Sequence, residues 1–169
     1  MNNKIPLVII VYNRPKNVRN LIKKLKKIKP PLLIFISDGP KKGNVLDIKK
    51  CKEVNKIIKS IRWNCKKIYI FSKYNLGHKK RIFSGLNIVF KKYEKAIILE
   101  DDCLPNKNFF NFSYKILELY KNNPRISGVS GNNFNLKNIK DSFYFSKYSS
   151  IWGWGTWRRV WRSFDINIK

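Results

Sequence analysis

Four apolar runs alternate with amphipathic stretches along the first hundred residues. The runs are rich in Val, Ile, Leu and Phe, which is typical of strands buried on both faces of a parallel sheet, and they cover residues 5–12, 32–37, 67–72 and 96–99. Between them, apolar residues recur at helical spacing with lysines on the other face, which predicts helices over 18–28, 48–61 and 82–93. Strands that alternate with helices in this way predict βαβ units, and therefore a parallel-dominated sheet with helices on both faces.

The pattern becomes less regular after residue 103. It predicts a helix over 108–120, a short strand over 126–131 and a further strand over 142–146. A block rich in Trp and Gly follows at 150–157 and leads into a basic segment at 158–162. No internal repeat interrupts the chain, and 169 residues suit one domain with a substantial core. We therefore expect a single α/β domain over residues 1–169.

Charge and cysteine content narrow the class of protein. The formal net charge of +27 would attract nucleic acid, an anionic membrane surface or phosphorylated substrates. The lysines are spread along the chain, however, so compositional drift onto solvated faces is the alternative. The three cysteines form no CxxC pair, which argues against a disulfide framework or a zinc site and for a reducing compartment. With no signal peptide pattern and no apolar segment of about 20 residues, we expect a cytoplasmic protein.

Polar breaks follow each of the four predicted strands. Because parallel sheets bind ligands outside the carboxyl ends of their strands, these breaks should share one ligand-binding edge. They are Asn13-Arg14-Pro15, Asp38-Gly39-Pro40, Asn75-Leu76-Gly77 and Glu100-Asp101-Asp102. Three adjacent carboxylates must be hydrated or neutralised, and Mg²⁺ and Mn²⁺ prefer such oxygens. The alternative is a solvated acidic turn, since loops are generally polar.

Three further motifs have both a binding and a structural interpretation. Trp152, Gly153 and Trp154 combine indole faces, which stack on sugar rings, with a flexible backbone, or else they seal a core. Asp38 could contact a nucleobase or ribose, or could be an Asp-Gly turn residue. The segment 78–81 could bind a diphosphate at a helix N-terminus, or it could be the basic, solvent-exposed first turn of a helix with no ligand. Neither GxGxxG nor a Walker A sequence occurs, which argues against dinucleotide and P-loop enzymes.

The ordered set of motifs resembles a GT-A fold nucleotide-sugar glycosyltransferase of the family 2-like type, with similarity to N-acetylglucosaminyltransferase I-like enzymes. The resemblance rests on residues 8–15, 37–39, 75–77, 98–102 and 152–155, in the family's order over almost the whole chain. It implies a Rossmann-like fold and an inverting transfer from a nucleoside diphosphate sugar to a hydroxyl of a glycan or lipid-linked acceptor. Such a reaction belongs to the biosynthesis of cell-surface polysaccharides.

The resemblance also implies roles for particular residues. Asp102 would bind Mn²⁺ or Mg²⁺ as the last acid of a DxD-type motif, here Glu-Asp-Asp. Trp152, Gly153 and Trp154 would border the donor sugar and acceptor. The expected donor-binding residues are Tyr12, Asn13, Arg14, Asp38, Asn75, Gly77, Arg81, Glu100 and Asp101.

The sequence departs from the family pattern near its end. Some relatives carry an acid directly after the Trp-Gly block, but Thr156 stands here, which leaves Asp165 and Asp141 as candidates for the catalytic base. The family's acceptor-binding half commonly extends further, so we expect a truncated or minimal form. Two alternatives stay open: an inactive relative that binds a sugar nucleotide or glycan, and a basic nucleic-acid-binding protein, although no nucleic-acid-binding motif supports the latter. The basic surface and exposed aromatics would suit peripheral contact with an anionic membrane.

Overall fold

The computed structural model describes residues 5–132 and 142–167. Within these ranges the chain forms six strands and five short to medium helices. Their bounds, in chain order, are β1 Leu7–Val11, α1 Pro15–Ile28, β2 Leu32–Ser37, α2 Val45–Lys59, β3 Lys66–Phe71, α3 His78–Lys92, β4 Lys95–Glu100, α4 Lys107–Leu119, β5 Val129–Ser130, β6 Trp154–Trp157 and α5 Arg158–Trp161.

The strands join into one mixed sheet with the order β3-β2-β1-β4-β6-β5. β1 to β4 are mutually parallel where they pair, with Leu7 opposite Leu33 on one side and Ile97 on the other. β6 runs antiparallel to β4, with Trp154 opposite Ile98 and Trp157 opposite Lys95. The parallel-dominated sheet predicted from the hydrophobic pattern is therefore confirmed, and we call the edge where β1 to β4 end the carboxyl edge.

Helices cover both faces of the sheet because successive strand residues point to opposite sides. Leu7, Ile9 and Val11 pack into a core with buried residues of α1, α2 and α4. Val8 and Ile98 pack on the other face with buried residues of α3 and α5. Both sides of β1, β2 and β4 are thus buried, which explains their continuous apolar runs, whereas β3 at the edge of the sheet is only partly buried.

Local signals set the helix starts nearest the carboxyl edge. α1 begins at Pro15, a position where proline is favoured because its missing N–H would have no partner within the helix. α2 is capped by Asn44, whose side chain accepts a hydrogen bond from the amide of Asp47 at 2.9 Å. Both helices therefore begin a few residues after their strands, which keeps the intervening loops short.

One expectation about the later part of the chain is wrong, and one strand there was not predicted. Residues 142–146 form no strand, because their aromatic side chains pack along α4: Phe143 lies 6.1 Å from Phe112 and Phe145 lies 5.7 Å from Tyr120, between ring centroids. Conversely, part of the Trp-Gly block forms strand β6. Gly155 permits this pairing, since a Cβ there would lie only 3.1 Å from the side chains of Leu117 and Val129.

Candidate active site at the end of strands one and four

The strand order reverses at β1. The chain passes from β1 to β2 on one side and later returns to place β4 on the other side. In open α/β sheets, ligands bind in the crevice that such a reversal leaves beyond the carboxyl ends of the two strands. Here that crevice lies between the loop after β1, which carries Arg14, and the acids at and after the end of β4, Glu100, Asp101 and Asp102.

Arg14 bridges two of these acids. Its Nη1 lies 2.8 Å from Oδ2 of Asp102 and 3.3 Å from Oδ1 of Asp101. Arg14 and Asp102 are about half exposed, whereas the side chain of Asp101 is only 4% exposed. On the other side of the triplet, Nε2 of His78 lies 3.7 Å from Oε2 of Glu100. The structure thus brings Arg14, near the start of the chain, together with the three consecutive acids that lie more than 80 residues later.

Asp101 is the buried acid of the triplet, where three carboxylates interact electrostatically with the guanidinium of Arg14. Burial raises its pKa to about 6, Arg14 opposes that rise, and the neighbouring charges of Asp102 and Glu100 add to it. Its Oδ1 is buried and accepts no hydrogen bond, although Arg14 is close enough for an ion pair. A cation that approached from the open side, where Asp102 is exposed, would therefore be attracted by uncompensated negative charge.

The residues of the crevice fit a hard divalent cation. Across residues 5–132 and 142–167, no group of three or more His, Cys, Asp or Glu side chains is arranged to hold a metal by itself. Mg²⁺, however, is commonly bound by one or two carboxylates together with substrate phosphates. The exposed carboxylate of Asp102 offers one such ligand, and Oδ1 of Asp101 lies buried behind it, paired with Arg14 and without a hydrogen bond. The metal role of Asp102 remains a prediction.

At the ends of β2 and β3, the expected donor-binding residues are engaged by the protein itself. The carboxylate of Asp38 accepts hydrogen bonds from the amides of Gly39, Leu76 and Gly77, at 2.9–3.2 Å. Nδ2 of Asn75 donates to the carbonyl oxygen of Gly39 at 3.0 Å. These bonds hold the loop after β3 against the loop after β2, so the turn interpretation of Asp38 is the one that the geometry supports.

Arg81 is also engaged internally. Its side chain is buried, and its guanidinium donates to the carbonyl of Ile70 and, at 3.4 Å, to Oγ of Ser84. Burial lowers the pKa of Arg81, and the nearby charge of Asp38 opposes that effect. Arg81 therefore braces the start of α3 against the end of β3, while His78, Lys79 and Lys80 are exposed at the helix start.

A buried carboxylate that the sequence interpretation missed organises the loop after β1. Asp47 accepts hydrogen bonds from the hydroxyl of Tyr12 and Nδ2 of Asn13, both at 2.5 Å, and from the amide of Lys41 at 2.7 Å. Burial alone would raise the pKa of Asp47, but these hydrogen bonds lower it below its usual value. The signal was present as Asn44-x-x-Asp47, an N-cap residue followed three positions later by an acid, which resembles a capping box.

A cleft of about 1560 Å³ adjoins the crevice on the α4 side of the sheet. Asp102 lies at its wall together with Phe109, Gly131, Trp152 and Gly153. Gly153 has a positive φ of 75° at the turn before β6, which favours glycine. Its carbonyl accepts the amide of Gly131 at 2.8 Å. Trp152 and Gly153 are thus in the same cleft as Asp102.

Trp154 points elsewhere. Although it is only two residues from Trp152, it packs partly buried against the core on the α3 side of the sheet. The reason is that residue 154 opens β6, opposite Ile98 of β4, on a pleated surface where side chains alternate between faces. The structure therefore separates Trp154 from the cleft that contains Trp152, and gives it a packing role.

Only one of the two candidates for the catalytic base lies within the described residues. Asp141 lies outside the described residues. β6 leads away from the carboxyl edge, and the segment before Asp165 packs on α3, where the ring centroids of Phe164 and Phe83 lie 6.2 Å apart. Asp165 accepts the amide of Asn167 at 2.8 Å. Within the described ranges, no hydrogen bond or ion pair joins it to the acid triplet. Thr156 is buried and donates to the carbonyl of Ser127 at 2.7 Å.

Comparison with known proteins identifies the fold of this chain but no family within that fold. No family model and no curated protein matches the sequence. One similar solved structure is a mannosyltransferase from Pyrobaculum calidifontis in complex with GDP-Man and Mn²⁺, with a TM-score of 0.49 and 13% identity. The likeness covers 75% of this chain and 34% of that one, so this chain spans about a third of that protein's length.

A second similar structure is 4-diphosphocytidyl-2C-methyl-D-erythritol synthase from Anaerococcus prevotii. Its TM-score is 0.53 at 11% identity, and the likeness covers 94% of this chain and 74% of that one. At this level of identity the likeness concerns the fold. Together with the six-stranded sheet described above, it confirms the Rossmann-like α/β fold.

Proposed function

We propose that this chain binds a nucleoside diphosphate sugar in the crevice between β1 and β4 and transfers its glycosyl group to an acceptor hydroxyl. The observation that carries the proposal is the acid triplet at the point where the strand order reverses, with Arg14 across it. A diphosphate and a divalent cation together would complement both charges, since guanidinium binds phosphate and carboxylate binds the metal. The adjoining cleft offers room for an acceptor beside Trp152.

Each residue of the crevice then has a role. Asp102 would hold Mn²⁺ or Mg²⁺, which supplies charge neutralisation for the leaving diphosphate when bound. Glu100 and Asp101 would accept hydrogen bonds from hydroxyls of the donor. Arg14 would turn from the acids toward the diphosphate, and the loop containing Tyr12 and Asn13, held in place by Asp47, would border the nucleotide.

The finer points of the reaction rest on the family resemblance alone. We propose inversion at the transferred carbon, which requires a carboxylate to deprotonate the acceptor, and Asp141 and Asp165 remain the candidates. The proposed acceptor is a glycan or a lipid-linked glycan used in cell-surface polysaccharide synthesis. No helix in the described ranges has the length and apolar character needed to cross a bilayer.

A thermal-shift screen of nucleoside diphosphate sugars, with and without Mn²⁺, tests the proposal. A ligand at about 100 times its Kd stabilises the folded state by about 2.7 kcal/mol, which corresponds to a Tm increase of roughly 5–10 °C for a chain of this size. We expect such a shift for at least one donor, and expect Asp102→Asn to weaken Mn²⁺-dependent donor binding at least about tenfold.

Glu53→Gln is the matched control, because it removes one partly exposed carboxylate, on α2, that pairs with Arg19 away from the crevice. It should leave donor binding unchanged. Retention of both metal-dependent donor binding and turnover in Asp102→Asn would show that the site is wrongly assigned. A flat response across the whole panel would count against any sugar-nucleotide function.

A second candidate is a protein that binds a sugar nucleotide or glycan without turnover. The observation in its favour is Thr156, which is buried and hydrogen-bonded where some relatives carry an acid. Both candidates predict a thermal shift with the donor. Only the enzyme predicts release of the nucleoside diphosphate when donor, Mn²⁺ and a glycan acceptor are combined, so measurement of that product separates them.

A further inference from the structure

Two loops at the carboxyl edge expose apolar side chains to solvent. One follows β2 and includes the start of α2, and the other follows β3; we call residues 39–46 and 72–80 together the edge loops. In the first, Val45 is 78% and Leu46 is 61% exposed. In the second, Tyr74 is 75% and Leu76 is 40% exposed. Exposed apolar side chains grouped at one edge of a monomer commonly mark an interaction site.

The edge loops are held rigidly. As described above, Asp38 binds the amides of Leu76 and Gly77, and Asn75 binds the carbonyl of Gly39. The backbone of Gly39 packs so closely on that of Tyr74 that a Cβ at residue 39 would lie 2.6 Å from it. The exposed side chains therefore stand on a preformed platform, and binding through them costs little loop-ordering entropy.

The acidic and basic side chains within the edge loops have a single sign, although acids border these loops, among them Glu100, which lies 3.7 Å from His78. The edge loops contain no Asp or Glu, and the exposed lysines in them are Lys41, Lys42, Lys73, Lys79 and Lys80. The first turn of α1, which begins at the same edge, has no acid either and carries the exposed Lys16. Exposed apolar side chains surrounded by lysines are complementary to the surface of an anionic bilayer, where acyl chains lie beneath negatively charged headgroups.

We infer that the edge loops dock this protein on an anionic lipid bilayer. Val45 and Leu46 favour a bilayer over a nucleic acid as the partner. Their aliphatic side chains are stabilised when they insert among the acyl chains just below the headgroups, whereas contact with phosphate groups gives them no such stabilisation. Tyr74 suits the headgroup level, where tyrosine is enriched. The inference deepens the proposed function, because the edge loops share the carboxyl edge with the acid triplet and would turn the crevice toward a lipid-linked acceptor.

Sedimentation with vesicles tests the inference directly. Wild-type protein is mixed at about physiological salt with vesicles of phosphatidylcholine alone or of phosphatidylcholine with phosphatidylglycerol. We expect binding to the anionic vesicles only. The double variant Val45→Ser/Leu46→Ser should bind them about tenfold more weakly, and Lys41→Glu/Lys42→Glu at least about tenfold more weakly.

Matched controls carry the same changes outside the edge loops. Lys91→Glu/Lys92→Glu makes the same charge reversal on exposed lysines at the far end of α3, and Ile88→Ser/Leu119→Ser removes two other exposed apolar side chains. Each should change vesicle binding by less than about threefold. Equal losses in the control and test pairs would overturn the inference, since they would show that net charge or general hydrophobicity is responsible.

Two further outcomes would also overturn it. The first is binding of the wild type to neither vesicle type. The second is binding to a short DNA duplex that is tighter than binding to anionic vesicles and unaffected by Val45→Ser/Leu46→Ser. Melting curves check that each variant folds, and the donor thermal shift is measured on the same samples. Loss of vesicle binding with an intact donor shift supports docking, whereas vesicle binding without any donor shift leaves docking in place and removes the proposed function.

Discussion

The two halves of the carboxyl edge contain similar residues and use them differently. At the ends of β2 and β3, the carboxylate of Asp38 accepts hydrogen bonds from three backbone amides and is 8% exposed. Next to β1, at the end of β4, Asp102 contacts one flexible guanidinium and is half exposed. Both acids follow a buried parallel strand directly, or nearly so. Asp38 was expected to bind the donor, and Asp102 the metal.

The difference shows that strand-end position identifies candidates but does not assign their roles. A carboxylate that already accepts hydrogen bonds from several backbone amides has little capacity left to bind a ligand. Its removal leaves those amides without a hydrogen-bond acceptor. A carboxylate with an exposed face and a displaceable partner can exchange that partner for a metal or a hydroxyl. The neighbouring hydrogen bonds, which depend on how two loops meet, decide which case applies.

The largest expected effect comes from Asp38→Ala. It leaves the amides of Gly39, Leu76 and Gly77 without an acceptor, so we expect the free energy of unfolding to fall by about 3 kcal/mol or more. Asp102→Ala breaks only a half-exposed ion pair and should change the free energy of unfolding by less than about 1 kcal/mol. Urea unfolding of the two variants measures both. Equal stability of the two would contradict the contrast between a structural and a ligand-binding acid.

An effect of similar size is expected from the pH dependence of Asp101. Its pKa of about 6 lies above the usual 3.8, so the folded protein holds the proton more tightly than the unfolded chain. The free energy of unfolding should therefore fall as pH rises from about 4 to about 6, by up to about 3 kcal/mol from this group, and then level off. Asp101→Asn should remove that slope and be the more stable protein at pH 7.

Unfolding of the wild type and Asp101→Asn between pH 4 and pH 7 tests this. Glu53→Gln, which removes a partly exposed carboxylate on α2, should keep the slope of the wild type. Parallel stability curves for the wild type and Asp101→Asn would show that Asp101 is not held in an unfavourable environment.

The smallest effect concerns Arg14. Its guanidinium lies between Asp101 and Asp102, so it competes with any cation that approaches them. We expect Arg14→Ala to raise the affinity for Mn²⁺ alone by up to about thirtyfold, because one positive charge about 4 Å from a divalent cation repels it by about 2 kcal/mol in water. Arg19→Ala is the control, since Arg19 pairs with Glu53 away from the crevice. Calorimetric titration without nucleotide measures both, and equal affinities would mean that the metal does not meet Arg14.

Much of the fold could be predicted from the hydrophobic pattern. The four parallel strands and the helices between them follow from runs and stripes whose period is local, and Pro15 and Asn44 mark two helix starts. The carboxyl edge followed as well, because parallel topology brings the ends of all four strands together. The prediction of a strand over 142–146 failed because alternating aromatics can pack along a helix as well as in a sheet.

The candidate site was predictable in location but only in part in detail. Glu100, Asp101 and Asp102 stand out as consecutive acids in a basic chain, and Arg14 follows the first strand. The role of Asp47 was missed, because its partners Tyr12 and Asn13 are more than 30 residues away and the link depends on how two loops fold together. Likewise, only the pairing of β6 with β4 reveals that Trp152 and Trp154 lie on different sides of the sheet.

By itself, the sequence determined the alternation of strands and helices, the parallel class of the sheet and the edge that carries polar chemistry, because each depends on local periodicity and chain connectivity. Only the tertiary structure decided which polar groups at that edge are already satisfied. Asp38 and Arg81 are bound by the protein's own backbone, whereas Asp101 and Asp102 share one guanidinium and the half-exposed Asp102 remains open to a ligand. That outcome depends on hydrogen bonds and ion pairs between segments far apart in the chain, which no local pattern encodes.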